Sequence, residues 1–193
     1  MVHSFEINGL PVKTGDLICT VDGGEGLGSG QFWRLIGKII PGDVDHIAIY
    51  VGPDGKCVEA GAKGRVITFD TGSHTWNAVQ MMSQRGIEDK LYGMAYPLAE
   101  SGLTEEEENV LREGVGEYCQ AQAAARKPYN LNFLNSWKEE AFYCSQLAYK
   151  AYLRHGIDLN SGIGVPDIPG TSSIIFPQEV WEGCTHQRMQ DPS

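Results

Sequence analysis

The sequence predicts an α+β fold in a single domain spanning residues 1–193. Three observations carry this. Short apolar runs broken by turn residues dominate the first half. Helical periodicities dominate the stretch from Thr104 to Gly156. The strands follow one another through short turns, which points to a mainly antiparallel sheet rather than alternating strand–helix units. At 193 residues the chain is long enough to bury a core of its own.

Taken in order, residues 15–21 (GDLICTV) read as a short strand after a turn. Residues 22–30 (DGGEGLGSG) form a glycine-rich loop that matches neither G-x-G-x-x-G nor G-x-x-x-x-G-K-[ST], so it is read as a loop and not a phosphate cradle. Residues 32–40 (FWRLIGKII) carry a helical or mixed pattern that Pro41-Gly42 ends. A strand at 46–51, a turn GPDGK with Asp54-Gly55 at its tip, and a returning strand at 57–60 form a hairpin signal. RVITF at 65–69 is a third strand, with β-branched bulk at Val66 and Ile67. Two more strands are expected near 78–82 and 91–96.

The pattern then becomes helical. Thr104 and Glu107 make a capping box. Val110, Leu111, Val115, Tyr118, Cys119 and Ala123 recur at helical spacing, and the helix should end before Pro128. Gly114 and Gly116 weaken it slightly. A second helix starts near Cys144, presents Leu147, Ala148, Ala151 and Tyr152 on one face, and stops at Gly156. The tail from Gly162 reads as irregular, with a turn of helix at PQEVWE.

Composition narrows the function. Hydrophobic residues are 41% and charged residues 21%, ordinary for a globular domain, and the formal net charge is −10. Nucleic acid and anionic membranes need clustered Lys and Arg, and the sequence shows no such cluster, so neither is expected as a partner. The acidic run at 105–108 reads as a solvated helix start. With no stretch of about 18 apolar residues, no membrane span is expected. The N-terminus lacks a basic n-region and an apolar h-region, so the chain as written reads as cytoplasmic; a chain with its signal removed would be secreted or periplasmic. Five cysteines without a C-x-x-C argue against a zinc site or a disulfide framework, and no metal or organic cofactor is expected.

Cys144 is distinguished from the other cysteines by its place at a helix start. The partial positive charge and unpaired N–H groups there favour a thiolate, and Phe142 and Tyr143 supply no short capping oxygen. Cys119 lies on an apolar helix face, Cys19 and Cys57 in strands, and Cys184 in the tail. A nucleophilic thiolate needs an imidazole beside it. Of five histidines, only His46 sits at the edge of a core strand. Each residue alone also fits a plain structural role. Glu59, on the returning strand, is the candidate to orient the imidazole. If the turn is Pro53–Lys56, Glu59 lies opposite Tyr50. It then shares the face of His46 but sits about 13 Å along the strand, too far for a hydrogen bond unless the turn is shifted or a bulge intervenes.

The series GDVDHIAIYVG, VEAG, KPYNLNF and FYCSQLAYKAY resembles the motifs of the permuted NlpC-type papain-like cysteine peptidases and amidases, in their YiiX-like branch. The resemblance runs from Gly15-Asp16 to about Gly156. In that branch the histidine strand precedes the cysteine helix, as here. It implies a papain-like core with the cysteine helix packed on an antiparallel sheet, Cys144 as nucleophile, His46 as base and Glu59 as orienting acid. The tyrosine before the cysteine recurs in the branch, which makes Tyr143 a candidate for the site wall or an oxyanion contact, beside its plain reading as a core aromatic. Asn130 stands where the branch usually has an aspartate. The implied activity is a cysteine amidase or peptidase on short cell-wall-type peptides, such as those joined through D-Glu. An acyltransferase or thioesterase acting on lipid acyl groups, and a catalytically inactive peptide-binding module, are the alternatives.

Overall fold

The computed structural model describes residues 1–21, 41–167 and 169–189. The loop at 22–30 and the segment at 32–40 read from the sequence lie outside the described residues. The fold is α+β and built on an antiparallel sheet. A two-stranded hairpin, β1 (Ser4–Ile7) and β2 (Leu10–Lys13), comes first. Its turn is Asn8-Gly9, both with positive φ (52° and 79°), the chemistry a tight hairpin turn requires.

The main sheet contains β3 (Leu17–Val21), β4 (His46–Tyr50), β5 (Lys56–Gly61), β6 (Arg65–Asp70), β7 (Lys90–Tyr96) and β8 (Thr185–Arg188). Their order across the sheet is β6-β5-β4-β3-β7-β8, and every pairing is antiparallel. Strand β8 was read as irregular tail in the sequence. Its residues THQR are all exposed, so no alternation of apolar residues signals it.

Four helices complete the described chain: α1 (Ala78–Arg85), α2 (Glu105–Ala124), α3 (Cys144–Leu153) and α4 (Pro177–Glu182). The strand expected near 78–82 is therefore corrected to helix α1. Asn77 caps it, its side chain accepting from Gln80 N–H at 3.1 Å, and Gly86 ends it in the left-handed region (φ 73°). Its buried residues Ala78, Met81 and Arg85 recur at helical spacing. The capping box of Thr104 and Glu107 opens α2 as expected. Val110 does not join the buried face of α2: it is 68% exposed. Arg112 is buried there instead, bound to Asp16 (2.8 Å) and Thr14 O (2.8 Å), and so pins α2 to the start of β3. Gly114 and Gly116 make room for the His155 ring and the Thr14 methyl, which is what their lower helix propensity is exchanged for.

The sheet has a core on each face. On one side Leu17, Cys19, Ile47, Ile49, Val58, Ala60 and Val66 meet α2 and α3. On the other side Ile18, Ala48, Tyr50, Cys57 and Phe69 meet Trp76, Met81 and the β1–β2 hairpin. The strict alternation along β4 and β5 separates the two sets.

Leu147, Ala148, Ala151 and Tyr152 of α3 have no exposed surface. Leu147→Ala should cost about 2–5 kcal/mol of unfolding free energy, read by chemical denaturation. A negligible change would mean that α3 does not dock through this face.

Candidate active site

The hairpin between β4 and β5 sets the geometry. Gly52, Asp54 and Gly55 all have positive φ (57°, 55° and 83°), so the turn occupies Gly52 to Gly55. Lys56 is thereby the first residue of β5, and the register becomes Tyr50↔Cys57 and Ile49↔Val58. Continuing this register puts Glu59 opposite Ala48, two residues nearer His46 than a Pro53–Lys56 turn would place it. Glu59 is then a diagonal neighbour of His46 on the same face, within reach of a long side chain. The position opposite His46 is Gly61. A Cβ there would lie 3.3 Å from Glu59 Oε1 and 3.5 Å from His46 Cε1, so its missing side chain leaves the space in which the two groups meet. The Glu59 Oε2 to His46 Nε2 distance is 2.9 Å.

The other ring nitrogen faces α3. Cys144, in the first turn of α3, lies where the His46 charge and, after it, the backbone N–H groups of Ile47 and Ser145 act on its sulphur. Val51 N–H bonds Lys56 O, so the odd residues of β4 direct their N–H groups towards β5. The described β4–β5 pairing stops at Ile49, short of Ile47 and His46. Tyr143, the residue before α3, offers no side-chain hydrogen bond to cap it, so no capping oxygen competes for its first N–H groups.

Burial opposes charge on both Cys144 and His46, yet each shifts towards its ionised form. Against the burial penalty, the His46 imidazolium and the two backbone donors hold the Cys144 thiol below the usual thiol range. Burial likewise works against His46, and Cys144 followed by Glu59 pushes its proton affinity well above that of a free imidazole. The directions agree with a thiolate–imidazolium pair. Burial pushes the other four cysteines up, Cys119 and Cys184 to about 12. Of the remaining histidines, His74 stacks on Phe5, His155 rests over Gly114, and His186 stacks on Trp181.

Glu59 is fully buried, which by itself would raise its pKa, but Arg85 and then His46 bring it down to about 2. Arg85, also fully buried, donates to Glu59 through Nε (3.0 Å) and Nη2 (2.7 Å). It donates to Asp89 through Nη1 and Nη2, both at 2.8 Å. Its guanidinium lies over the rings of Phe69 (4.7 Å) and Trp76 (4.6 Å), which meet each other edge to face. Asp89 accepts further from Thr20 Oγ1 (2.8 Å) and Trp76 Nε1 (3.1 Å). Thr20 is the β3 partner of His46, so the polar groups close into a circuit. The sequence reading missed Arg85 and Asp89. The pattern Asn77-Ala78 to Gly86, read as a helix, would have put Arg85 on the buried face with Met81.

The remaining expected site residue, Tyr143, is buried, stacks edge-on against Phe133 (5.2 Å) and accepts through its hydroxyl from Ile175 N–H (3.0 Å). Asn130 donates to Gln146 Oε1 (3.0 Å) and accepts from Asn132 N–H (2.9 Å), tying the loop before α3 to that helix. Among the described residues no group of three or more His, Cys, Asp or Glu is placed to hold a metal ion, and no helix is long and apolar enough to cross a membrane.

Glu59→Gln should destabilise the fold by about 3–5 kcal/mol, because it strands part of the buried Arg85 charge. Since the folded pKa of Glu59 is about 2 and the ordinary value is 4.5, its ionisation stabilises the fold fully above the ordinary value and loses that effect as pH falls towards 2. Urea unfolding between pH 6 and pH 3 should therefore show a steeper acid loss in the parent protein than in Glu59→Gln. An acid loss of equal steepness in both proteins would contradict this assignment.

Comparison of the chain with the families of known proteins, with curated proteins and with solved structures finds no match.

Proposed function

We propose that this protein is a cysteine hydrolase of the permuted NlpC-type papain-like kind, acting on amide bonds. The observation that carries the reading is the buried line of Cys144, His46 and Glu59, in which the only thiol held below its usual range faces an imidazole backed by a carboxylate. The Cys144 sulphur attacks the carbonyl carbon of the substrate. Backbone N–H at the uncapped start of α3 is the donor for the developing oxyanion. The C–N bond then breaks as His46 passes its proton to the leaving amine, giving a thioester. Water, deprotonated by His46, attacks that thioester and releases the acid and the thiolate. Glu59 keeps the ring oriented and its charge compensated throughout. The motif resemblance supports short cell-wall-type peptides as the substrate class.

One observation favours a second reading, a thioesterase or acyltransferase acting on lipid acyl groups. The loop leading into α3 exposes Leu131 (64%), Leu134 (50%) and Trp137 (63%), large apolar groups fixed to a segment that hydrogen-bonds the Gln146 amide. Parallel assays on a γ-D-glutamyl peptide and on a long-chain acyl ester or thioester separate the two readings. Turnover of the peptide alone supports the first, and turnover of the acyl ester alone supports the second.

Alkylation with iodoacetamide at pH 6 tests the nucleophile that both share. An ordinary thiol of pKa about 8.5 is mostly protonated at that pH. Cys144 should react in a fast phase that Cys144→Ala removes and that Cys19→Ala, Cys57→Ala, Cys119→Ala and Cys184→Ala leave in place. His46→Ala should slow it and move its pH dependence towards that of a free thiol. A fast phase on another cysteine, or none at all, refutes the hydrolase reading and moves a non-catalytic binding role ahead.

A further inference from the structure

His46 has two opposed tasks under the proposed reaction. It must keep its proton beside the thiolate, and it must surrender that proton to the leaving group. A buried carboxylate facing the ring at 2.9 Å serves the first task and hinders the second. Glu59 does not face the ring alone, however. The same Oε2 that meets His46 also accepts from Arg85 Nε and Nη2, at 3.0 and 2.7 Å. Arg85 in turn is divided between two carboxylates, because Asp89 takes Nη1 and Nη2. The guanidinium has no exposed surface and rests against two aromatic rings, so solvent does not dilute its effect.

We propose that Arg85, held by Asp89, is a positioning residue of the site: it fixes the Glu59 carboxylate against His46 and limits how tightly the ring holds its proton. The proposal rests on the reading of Cys144 and His46 as nucleophile and acid–base group. Around the ring stand Cys144 from α3, Glu59 from β5 and Thr20 from β3. Asp45 adjoins it in the chain. Arg85 from α1 and Asp89 ahead of β7 act through Glu59. Cys57 lies on the same face of β5 as Glu59, and Arg65 on β6 is the partner of Gly61. Arg85 is the one cation among these that contacts the carboxylate serving His46.

The two ends of the clamp have opposite signs, which makes the idea testable without any substrate. With Arg85 gone, removing the His46 proton leaves a buried carboxylate without a countercharge, so the proton is held more tightly. With Asp89 neutral, Arg85 gives its whole charge to Glu59, and the proton is held less tightly. The measurement is an NMR titration of the His46 ring in the full-length Cys144→Ala protein, which removes the thiol from the balance. Adding Arg85→Met should raise the midpoint by roughly one pH unit or more, and Arg85→Lys should restore it towards the parent value. Adding Asp89→Asn should lower it. A midpoint that Arg85→Met leaves unchanged or lowers overturns the proposal. If Arg85→Met does not fold, Asp89→Asn decides: a lower midpoint supports the proposal, and an unchanged or higher one overturns it. Every protein in this series lacks Cys144, so the result does not depend on turnover. Failure of the alkylation pattern would sink the hydrolase reading while leaving this titration standing.

Discussion

A carboxylate with no access to water is the constraint around which this molecule is arranged. Removing an ion such as Glu59 from solvent costs several kcal/mol even after relaxation. The fold must therefore surround it with donors. It does so from two directions: His46 on the neighbouring strand, and Arg85 from α1, whose guanidinium rests against Phe69 and Trp76. Arg85 carries its own requirement for compensation, which Asp89 meets, and Asp89 draws in Thr20 and the Trp76 indole. The circuit returns to β3 directly beside His46. Arg85 is the member that both carboxylates share, and through it the polar groups tie β3, β4 and β5 to α1 and to the residue ahead of β7.

This circuit divides the labour between the two faces of the sheet. The face under α2 and α3 is apolar and supplies packing, with Ile47, Ile49 and Val58 meeting Leu147 and Ala151. The opposite face carries the charges within a smaller apolar shell of Ile18, Ala48, Phe69 and Met81. The thiol arrives from the first face and the carboxylate from the second. They meet at the end of β4 because its first residue, His46, is where the pairing with β5 has lapsed.

Much of this was legible in the sequence because it depends on local chemistry. The Asp54-Gly55 turn, the Thr104 capping box and the apolar stripe of α3 each follow from residues close together in the chain. So does the placing of Cys144 at a helix start. The link between His46 and Glu59 was legible as a shared face but not as a contact. The register hinged on whether Gly52 or Lys56 belongs to the turn, and positive φ at Gly52 is a tertiary outcome. Ala78 to Met82 is short and apolar at both ends, which suits a strand; the Asn77 cap and the Gly86 stop are the local signals that make α1 a helix. With the helix went Arg85, whose role is visible only when residues 59, 85 and 89 are brought together in space. The exposed strand β8 carries no apolar signal at all.

The unpaired end of the β4–β5 ladder also bears on how the molecule breathes. In a complete sheet the Ile47 N–H would be spent on a neighbouring strand; here it helps to hold the Cys144 thiol below the usual thiol range. Cys144, at the tip of α3, thus sits beside the place where the β4–β5 ladder ends. Cys144 is almost fully buried, so a bulky group on its sulphur would press on the central strands as well as on α3, tying the covalent state of one atom to the packing of the sheet.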